Sequence, residues 1–467
     1  MSQEVTKKRR KRRKSKKRLR MLRKILLTSM FSIVLLTVTA LLALFMINRN
    51  ADQTADSGEK TGRKHAAPDR YSQTGERKAP AQEHSPDHKQ AVSQDRGSPD
   101  DRAGAGDYLQ ADIRSEHKIR DCISGMTLEE KIAQLFVITP DALTKVTGVV
   151  MAGEKTKEAL NGYPVGGLVY LKNNIRSEEQ FATMVSKAQS YSVERIGLPL
   201  FICVDEEGGT VARISGRGFA NVPDIPDMCR IGTDGDGSRA YQTGLQIGEY
   251  LSRFQVNVDF APVADVFSNP ANTVIRRRAF GSDPQQVADM VVQEVRGLKE
   301  KHMQATLKHF PGHGDTEEDS HSGWAYSYKT LDELRSCELI PFQAGIDAGA
   351  EFVMTGHISL PKVLGDHTPA SMSHKMITEV LRDEMGFDGI VITDALNMGA
   401  ISQNYSPQEA ATGALKAGAD LLLMPQDFER AYAGILDAVK KGEIRQSRID
   451  ESLERILKVK FAMQDAS

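Results

Sequence analysis

The amino-acid sequence predicts an α/β protein whose folded part is a (β/α)8 barrel of the TIM type. Eight short runs rich in β-branched and other apolar residues recur after residue 134, with helical patterns between them. Some runs, such as residues 389–393, are apolar throughout, which is typical of parallel strands covered on both faces. About 360 residues contain these runs, a length that suits one barrel. A doubly wound open sheet is the alternative architecture.

A capping box marks the beginning of the repeating units. Thr127 precedes Glu130 by three residues, the spacing at which a hydroxyl and a carboxylate cap a helix N-terminus together. The strands follow, bounded by Gly, Pro and polar residues. They are predicted over residues 135–139, 167–171, 200–204, 256–262, 305–309, 352–356, 389–393 and 420–424.

Two segments before the barrel differ sharply in charge and hydropathy. Residues 1–24 hold 14 Lys or Arg against the single acid Glu4, a net charge of +13, whereas the whole chain is at −1, so the remainder is near −14. Residues 25–47 are 23 apolar or uncharged residues, enough to cross a bilayer as a helix. We expect a single-pass signal anchor at the cell membrane, with the basic tail in the cytoplasm and the rest outside. A cleaved secretory signal is the alternative.

A polar segment over residues 48–107 has few large apolar side chains, and we expect a disordered tether there. The catalytic domain is therefore predicted over residues 108–467. Its acidic charge does not suit nucleic acid, and we expect none as a partner. The four cysteines have no metal or redox spacing, and Cys203 within an apolar run is expected in the core.

Polar residues follow most of the predicted strands. The carboxyl ends of the strands form one rim of a barrel, and that rim carries the active site in this architecture. Several charged side chains that meet at one rim remove water from each other, which costs free energy. A purely structural role therefore explains such a cluster poorly. The residues at these ends are Lys172, Asn173, Asp205, Glu206, Glu207, Asp265, Lys308, His309, His357 and Asp394.

The densest cluster is residues 308–321, which contain one Lys, three His and several carboxylates, with Pro and Gly between them. It predicts a strand end that runs into a rigid loop carrying chemistry. We interpret His313 as a structural residue of the turn. Trp324, the only tryptophan, follows this loop and either stacks on a flat face of a ligand or packs the loop.

Four segments resemble glycoside hydrolase family 3, in its bacterial β-N-acetylglucosaminidase branch, and the resemblance extends from about residue 126 to residue 463. Residues 204–213 resemble the Asp-x-Glu-Gly-Gly-x-Val-x-Arg segment, and residues 261–281 resemble the block that follows it. Residues 308–321 match the Lys-His-Phe-Pro-Gly-His-Gly…Asp-Ser-His signature, which is highly specific. Residues 392–398 are similar to the nucleophile strand.

This resemblance implies a role for eight residues. Asp394 would be the nucleophile, and His321, supported by Asp319, the general acid/base. The residues implied to surround the sugar at the non-reducing end are Asp205, Arg213, Arg278, Lys308 and His309. An ion pair with Asp205 or Glu207 is an equal alternative for Arg213. Asp265 is expected to buttress the site.

The implied activity is that of a retaining exo-acting β-N-acetylglucosaminidase, which forms a covalent glycosyl-enzyme and then hydrolyses it. With the predicted membrane tether, N-acetylglucosamine-containing glycans or muropeptides from peptidoglycan recycling are the expected substrates. We expect no cofactor, no metal and a monomer.

Three other functions remain open. In a phosphorylase, phosphate would replace water as the acceptor of the glycosyl group, and the residues do not separate this reaction from hydrolysis. A metal-dependent hydrolase would use His309, His313, Asp315, Asp319 and His321, but Pro311 and Gly312 prevent the helical spacing of a His-x-x-x-His site. A non-catalytic glycan-binding wall protein would not need both Asp394 and His321.

Overall fold

The computed structural model describes residues 116–317, 320 and 323–465. Ten strands lie in this part of the chain: β1 Phe136–Ile138, β2 Gly167–Val169, β3 Phe201–Val204, β4 Val258–Asp259, β5 Gln304–Phe310, β6 Ala325–Tyr326, β7 Phe352–Thr355, β8 Ile358–Ser359, β9 Ile390–Thr393 and β10 Leu422–Leu423. Each of the eight predicted strands overlaps one of them, and β6 and β8 were not predicted.

Helices connect the strands. They span residues 116–125 and Leu128–Ala133, Pro140–Thr144, Glu154–Gly162, Glu178–Ile196, Met228–Ile231, Gly237–Arg253, Pro284–Glu300, Leu331–Arg335, Leu339–Asp347, Pro361–Leu364, Gly399–Ser402, Pro407–Ala417, Phe428–Lys440 and Gln446–Asp465, with a π-helix over Lys375–Glu384. The predicted capping box is confirmed, since Thr127 Oγ1 accepts from Glu130 N at 3.2 Å and Thr127 N donates to Glu130 Oε2 at 3.0 Å.

Eight of the strands form one parallel sheet in the order β10-β1-β2-β3-β4-β5-β7-β9. The two edge strands meet because Thr393 N donates to Leu421 O at 3.0 Å and Leu396 N donates to Leu423 O at 2.9 Å. The sheet is thus a nearly closed barrel of the TIM type, as predicted, and the alternative of an open doubly wound sheet is wrong. The strands are buried throughout apart from Gln304, as their apolar composition predicts.

The outer helices pack closely where glycine allows it. Helices Gly237–Arg253 and Pro284–Glu300 meet at Gly244 and Gly297. A Cβ at Gly244 would lie 2.5 Å from Glu294 O, and a Cβ at Gly297 would lie 2.3 Å from Tyr241 O. Both distances are shorter than real contacts allow, so the two backbones approach at a separation that only glycine permits.

The amino end of the barrel is filled by a lysine of the C-terminal helix, Gln446–Asp465. Lys460 is fully buried, with Nζ donating to Gln134 Oε1 at 2.9 Å and lying 5.0 Å from the centre of the Phe201 ring. Cys203 is buried nearby, as predicted, and all four cysteines are free thiols. This end is opposite to the rim formed by the carboxyl ends of the strands.

The predicted membrane span over residues 25–47 lies outside the described residues, as do the predicted boundaries at residues 24, 47 and 107. Within residues 116–465, apart from the four undescribed positions, none of the helices combines the length and hydrophobicity that a membrane span needs.

Candidate active site

Five of the predicted site residues form one hydrogen-bonded network at the carboxyl rim of the barrel. They are Asp205, Arg213, Arg278, Lys308 and His309. Asp205 follows β3, and Lys308 and His309 lie within β5. These strands are separated only by β4, so their carboxyl ends are close in space.

Lys308 lies at the centre of this network. Its Nζ is 3.1 Å from Asp205 Oδ1 and 2.5 Å from Glu207 Oε1, and its side chain is only 1% exposed. Burial opposes its charge, but the two carboxylates outweigh that effect and raise the pKa of Lys308. The lysine is therefore held as a cation beneath the rim.

The two carboxylates beside Lys308 are each bound by an arginine as well. Arg213 Nη2 donates to Asp205 Oδ2 at 2.8 Å, and Arg278 binds Glu207 through Nε at 2.8 Å and Nη2 at 2.7 Å. Burial raises the pKa of both acids, but Lys308 and the arginines lower it more, so the pKa of Asp205 is lowered and that of Glu207 falls to about 2. Both acids are ionised at neutral pH.

Asp265 supports the network from below, in the position of a buttress. It is fully buried, with Oδ2 at 2.7 Å from His309 Nδ1, and Oδ1 accepts from the backbone N of His309 at 3.1 Å and of His313 at 2.7 Å. Burial raises its pKa, but His309 and His313 lower it more, and the net shift is downward.

His313 is a buried residue of the turn, in agreement with its structural interpretation. Its Nδ1 is 2.7 Å from Thr316 Oγ1 and its Nε2 is 3.1 Å from Ser320 Oγ. Burial, together with the neighbouring His309, lowers the pKa of His313 to about 4, so the ring is neutral at physiological pH. The next residue must be glycine, because a Cβ at Gly314 would lie 1.7 Å from Val266 O.

Asp394 lies at the carboxyl end of β9, where its strand approaches the same rim. Its backbone N donates to Thr355 O at 2.9 Å, and its Oδ1 accepts from Ala395 N at 2.7 Å. His357 Nε2 donates to Ala395 O at 3.0 Å and its Nδ1 is 2.8 Å from Ser371 Oγ, so His357 holds the backbone next to Asp394. Asp394 is partly exposed.

Asp319 and His321, the predicted acid/base pair, lie outside the described residues, so their roles stay predictions. Ser320 between them is described. Its carbonyl accepts from Ala400 N at 3.1 Å, and its hydroxyl contacts His313. Ser320 is thus bonded to the helix that begins just after the Asp394 turn.

The described residues offer no group of three or more His, Cys, Asp or Glu arranged to hold a metal. The rings of His309 and His313 meet edge to face with centroids 5.8 Å apart, and each ring has hydrogen-bond partners of its own.

Residues 127–459 match the family model for the glycosyl hydrolase family 3 N-terminal domain. The chain belongs to glycosyl hydrolase family 3. Its relatives in this family include β-hexosaminidase A of Pseudoalteromonas piscicida, with 32% identity over 66% of this chain and 55% of that protein. β-Hexosaminidase LpqI of Mycobacterium tuberculosis is 33% identical over 71% of this chain and 82% of its own length.

Among solved structures, a family 3 β-N-acetylglucosaminidase from Paenibacillus sp. str. FPU-7 aligns with a TM-score of 0.68 and 35% identity. The alignment covers 73% of this chain and 64% of that one. The chain therefore spans less than two thirds of two of these proteins. The expected membership of the family, and the resemblance to its β-N-acetylglucosaminidase branch, are confirmed.

The sequence of this family 3 chain did not reveal what Glu206 and Glu207 do. Glu207 binds Lys308 and Arg278, whereas Glu206 turns away and accepts from the backbone N of residues 213, 214 and 215 and from Tyr250 Oη at 2.8 Å. Glu206 thereby shapes the loop that presents Arg213. Their place beside Asp205 was the available signal, but adjacency does not show which carboxylate points to which partner.

Proposed function

We propose that this family 3 chain is a retaining, exo-acting β-N-acetylglucosaminidase. The observation that carries the proposal is that Asp394, at the end of β9, and the Asp205–Lys308–Arg278 network, at the ends of β3 and β5, lie on the same carboxyl rim of the barrel. The names of the relatives, β-hexosaminidase and β-N-acetylglucosaminidase, support the choice of sugar.

The network would bind the sugar at the non-reducing end. Asp205 and Arg213 are its most exposed members, with side chains 22% and 25% exposed, so they are suited to meet sugar hydroxyls as acceptor and donor. Lys308 and Arg278 are more deeply buried and would hold the carboxylates in place. Because these contacts are formed before the substrate arrives, binding would require little reorganisation.

The chemistry would proceed in two steps at Asp394. Its carboxylate attacks the anomeric carbon while His321, oriented by Asp319, protonates the departing oxygen; a covalent glycosyl-enzyme results. His321 then takes a proton from water, which attacks the same carbon and restores Asp394. Imidazole suits both roles because its ordinary pKa lies near 6.5.

Peptidoglycan fragments with terminal β-linked N-acetylglucosamine are the proposed substrates. The choice of peptidoglycan fragments as substrates depends on residues 25–47 anchoring the chain in the membrane, with the barrel outside the cell. Fractionation of cells that make the full chain would place the protein in the membrane pellet, accessible to external protease; recovery in the soluble fraction would remove the topological support for this substrate.

The activity is tested with the purified full chain in detergent, on aryl β-glycosides of N-acetylglucosamine and of glucose. Release from the N-acetylglucosamine substrate alone is expected, with retention of anomeric configuration seen by NMR and no dependence on EDTA or phosphate. Stimulation by phosphate would instead indicate a phosphorylase, inhibition by EDTA a metal-dependent hydrolase, and no release from either glycoside a binding protein.

A further inference from the structure

Three aromatic side chains share one face of the segment around β6. Trp324, Tyr326 and Tyr328 alternate with Ala325 and Ser327, which are buried. Alternate side chains of an extended segment point to the same side, so the three rings repeat about every 6.6 Å along it. Tyr328 is 61% exposed, and the other two rings are partly exposed. The segment therefore presents an aromatic stripe to solvent.

Contacts on both sides hold the rings of this stripe in place. Tyr326 and Tyr328 stack with centroids 5.9 Å apart and planes 16° from parallel. Tyr326 also meets His367 edge to face at 5.6 Å, and Trp324 meets Tyr405 at 6.3 Å. Tyr326 stacks against Tyr328, and Tyr328 still keeps 61% of its surface exposed. Such a preorganised ring loses little entropy when a ligand stacks on it.

The stripe lies on the same rim as the candidate active site. Strand β6 pairs in parallel with β8, which begins three residues after β7 and directly after His357. Ser327 extends the pairing, since its N donates to Ser359 O at 3.0 Å and its Oγ donates to Asp315 Oδ2 at 2.7 Å. His357 in turn bonds the residue that follows Asp394.

The chemistry of the stripe favours a ligand with flat apolar faces. The neighbouring cation, Lys329, is already paired with Glu338 and Asp315, so the aromatic rings are the groups left to contact a ligand. A β-linked pyranose presents an apolar C–H face and equatorial hydroxyl groups, which suits an aromatic ring with a polar tip such as tyrosine. Repeated rings suit a ligand whose sugar units also repeat.

We propose that Trp324, Tyr326 and Tyr328 bind the acceptor-side sugars of a β-1,4-linked glycan whose terminal N-acetylglucosamine occupies the candidate active site. This inference rests on the proposed function and extends it, because it assigns an oligomer, rather than a single glycoside, as the preferred ligand. Removal of a ring would then weaken binding of the oligomer more than binding of an aryl glycoside.

The single tryptophan makes the proposal directly measurable in the full chain. Chitotetraose is added to the Asp394→Asn protein, and the fluorescence of Trp324 is expected to change saturably. Adding Tyr328→Ala to this protein should raise the Kd for chitotetraose about tenfold. Tyr328→Phe, which keeps the ring, should leave the Kd near that of the protein with Tyr328. Val193→Ala is the matched control, since Val193 is 47% exposed but belongs to the outer helix Glu178–Ile196.

The same substitutions in the active chain separate this inference from the proposed function. The ratio of KM for chitotetraose to KM for the aryl glycoside should rise about tenfold in Tyr328→Ala and stay unchanged in Val193→Ala. If the aryl glycoside is hydrolysed but the fluorescence does not respond and the KM ratio is unaltered, the stripe is not a sugar site. If the fluorescence titrates while neither substrate is cleaved, the stripe stands and the proposed activity fails.

Discussion

Arg278 Nη2 lies 3.1 Å from Nε2 of His309, and this contact determines where the imidazole of His309 carries its proton. A guanidinium only donates hydrogen bonds, so Nε2 must accept. The proton is then on Nδ1, which donates to Asp265 Oδ2 at 2.7 Å. Asp265 and Arg278 thus select one tautomer of His309.

Asp265→Asn should lower kcat/KM for the aryl N-acetylglucosaminide about 10- to 100-fold, because an amide cannot accept from both His309 and the two backbone N–H groups. Steady-state kinetics measures this effect. Asp234→Asn, at an exposed carboxylate paired with Arg239, is the control and should have the activity of the wild type. Equal kinetics for the two variants would show that the Asp265 contacts do not position the site.

Asp394→Asn should reduce turnover by more than about a thousandfold while the unfolding temperature stays near that of the wild type, because the partly exposed carboxylate contributes little to the core. Turnover and thermal unfolding are measured on the same preparation. A slow fluoro-glycoside substrate should label the wild type at residue 394, detected by mass spectrometry of peptides. A label on another carboxylate would assign the nucleophile elsewhere.

His321→Ala should slow substrates with poor leaving groups by about 100-fold or more, and activated aryl glycosides much less, because only poor leaving groups need protonation. The test compares kcat/KM for a disaccharide and for a nitrophenyl glycoside. Asp319→Asn should lower kcat/KM for both substrates in the same pattern, by a smaller factor. An equal loss on the two substrates would remove His321 from the role of acid.

The buried carboxyl group of Glu294 should make the folded protein less stable as the pH rises. It is 1% exposed, neither carboxyl oxygen has a hydrogen-bond partner among the described residues, and burial together with the charge of Glu207 raises its pKa to about 8. Between about pH 4.3 and 8 the native state holds a proton that the unfolded state has lost. Stability therefore falls with a slope of up to about 1.4 kcal/mol per pH unit.

Urea unfolding of wild type and Glu294→Gln at pH 5 to 8 measures this effect. The variant should gain stability relative to the wild type as the pH rises through this window. A constant difference between the two proteins across the window would contradict the raised pKa.

The buried Lys460 should have the opposite effect at higher pH, where the stability of the folded protein should rise with pH. Burial lowers its pKa to about 7, whereas an unfolded lysine titrates near 10.4. Between these values the unfolded state binds the additional proton, so the stability of the wild type rises with pH. Unfolding of wild type and Lys460→Met between pH 7 and 9.5 should show the wild type gaining relative to the variant. Parallel curves would mean that Lys460 stays charged in the folded protein.

Much of the fold was predictable because the barrel strands are local features. Residues 352–355 and 390–393 are short apolar runs, and their type and order follow from composition and spacing alone. Strands β6 and β8 were missed because they lie outside the repeating units of the barrel, in a two-stranded sheet of their own. Their pairing depends on a contact between segments more than 30 residues apart.

The sequence by itself determined the family, the eight barrel strands and the rim residues, because motifs and hydrophobic patterns are properties of neighbouring residues. Only the tertiary structure decided that Glu207, not Glu206, binds Lys308 and that Lys460 is buried against Gln134 and Phe201 at the amino end of the barrel. Each of these facts depends on partners from distant segments and on the loss of water around a charge. The spacing of neighbouring residues gives neither the distance between remote segments nor the loss of water around a charge, so both are known only from the folded structure.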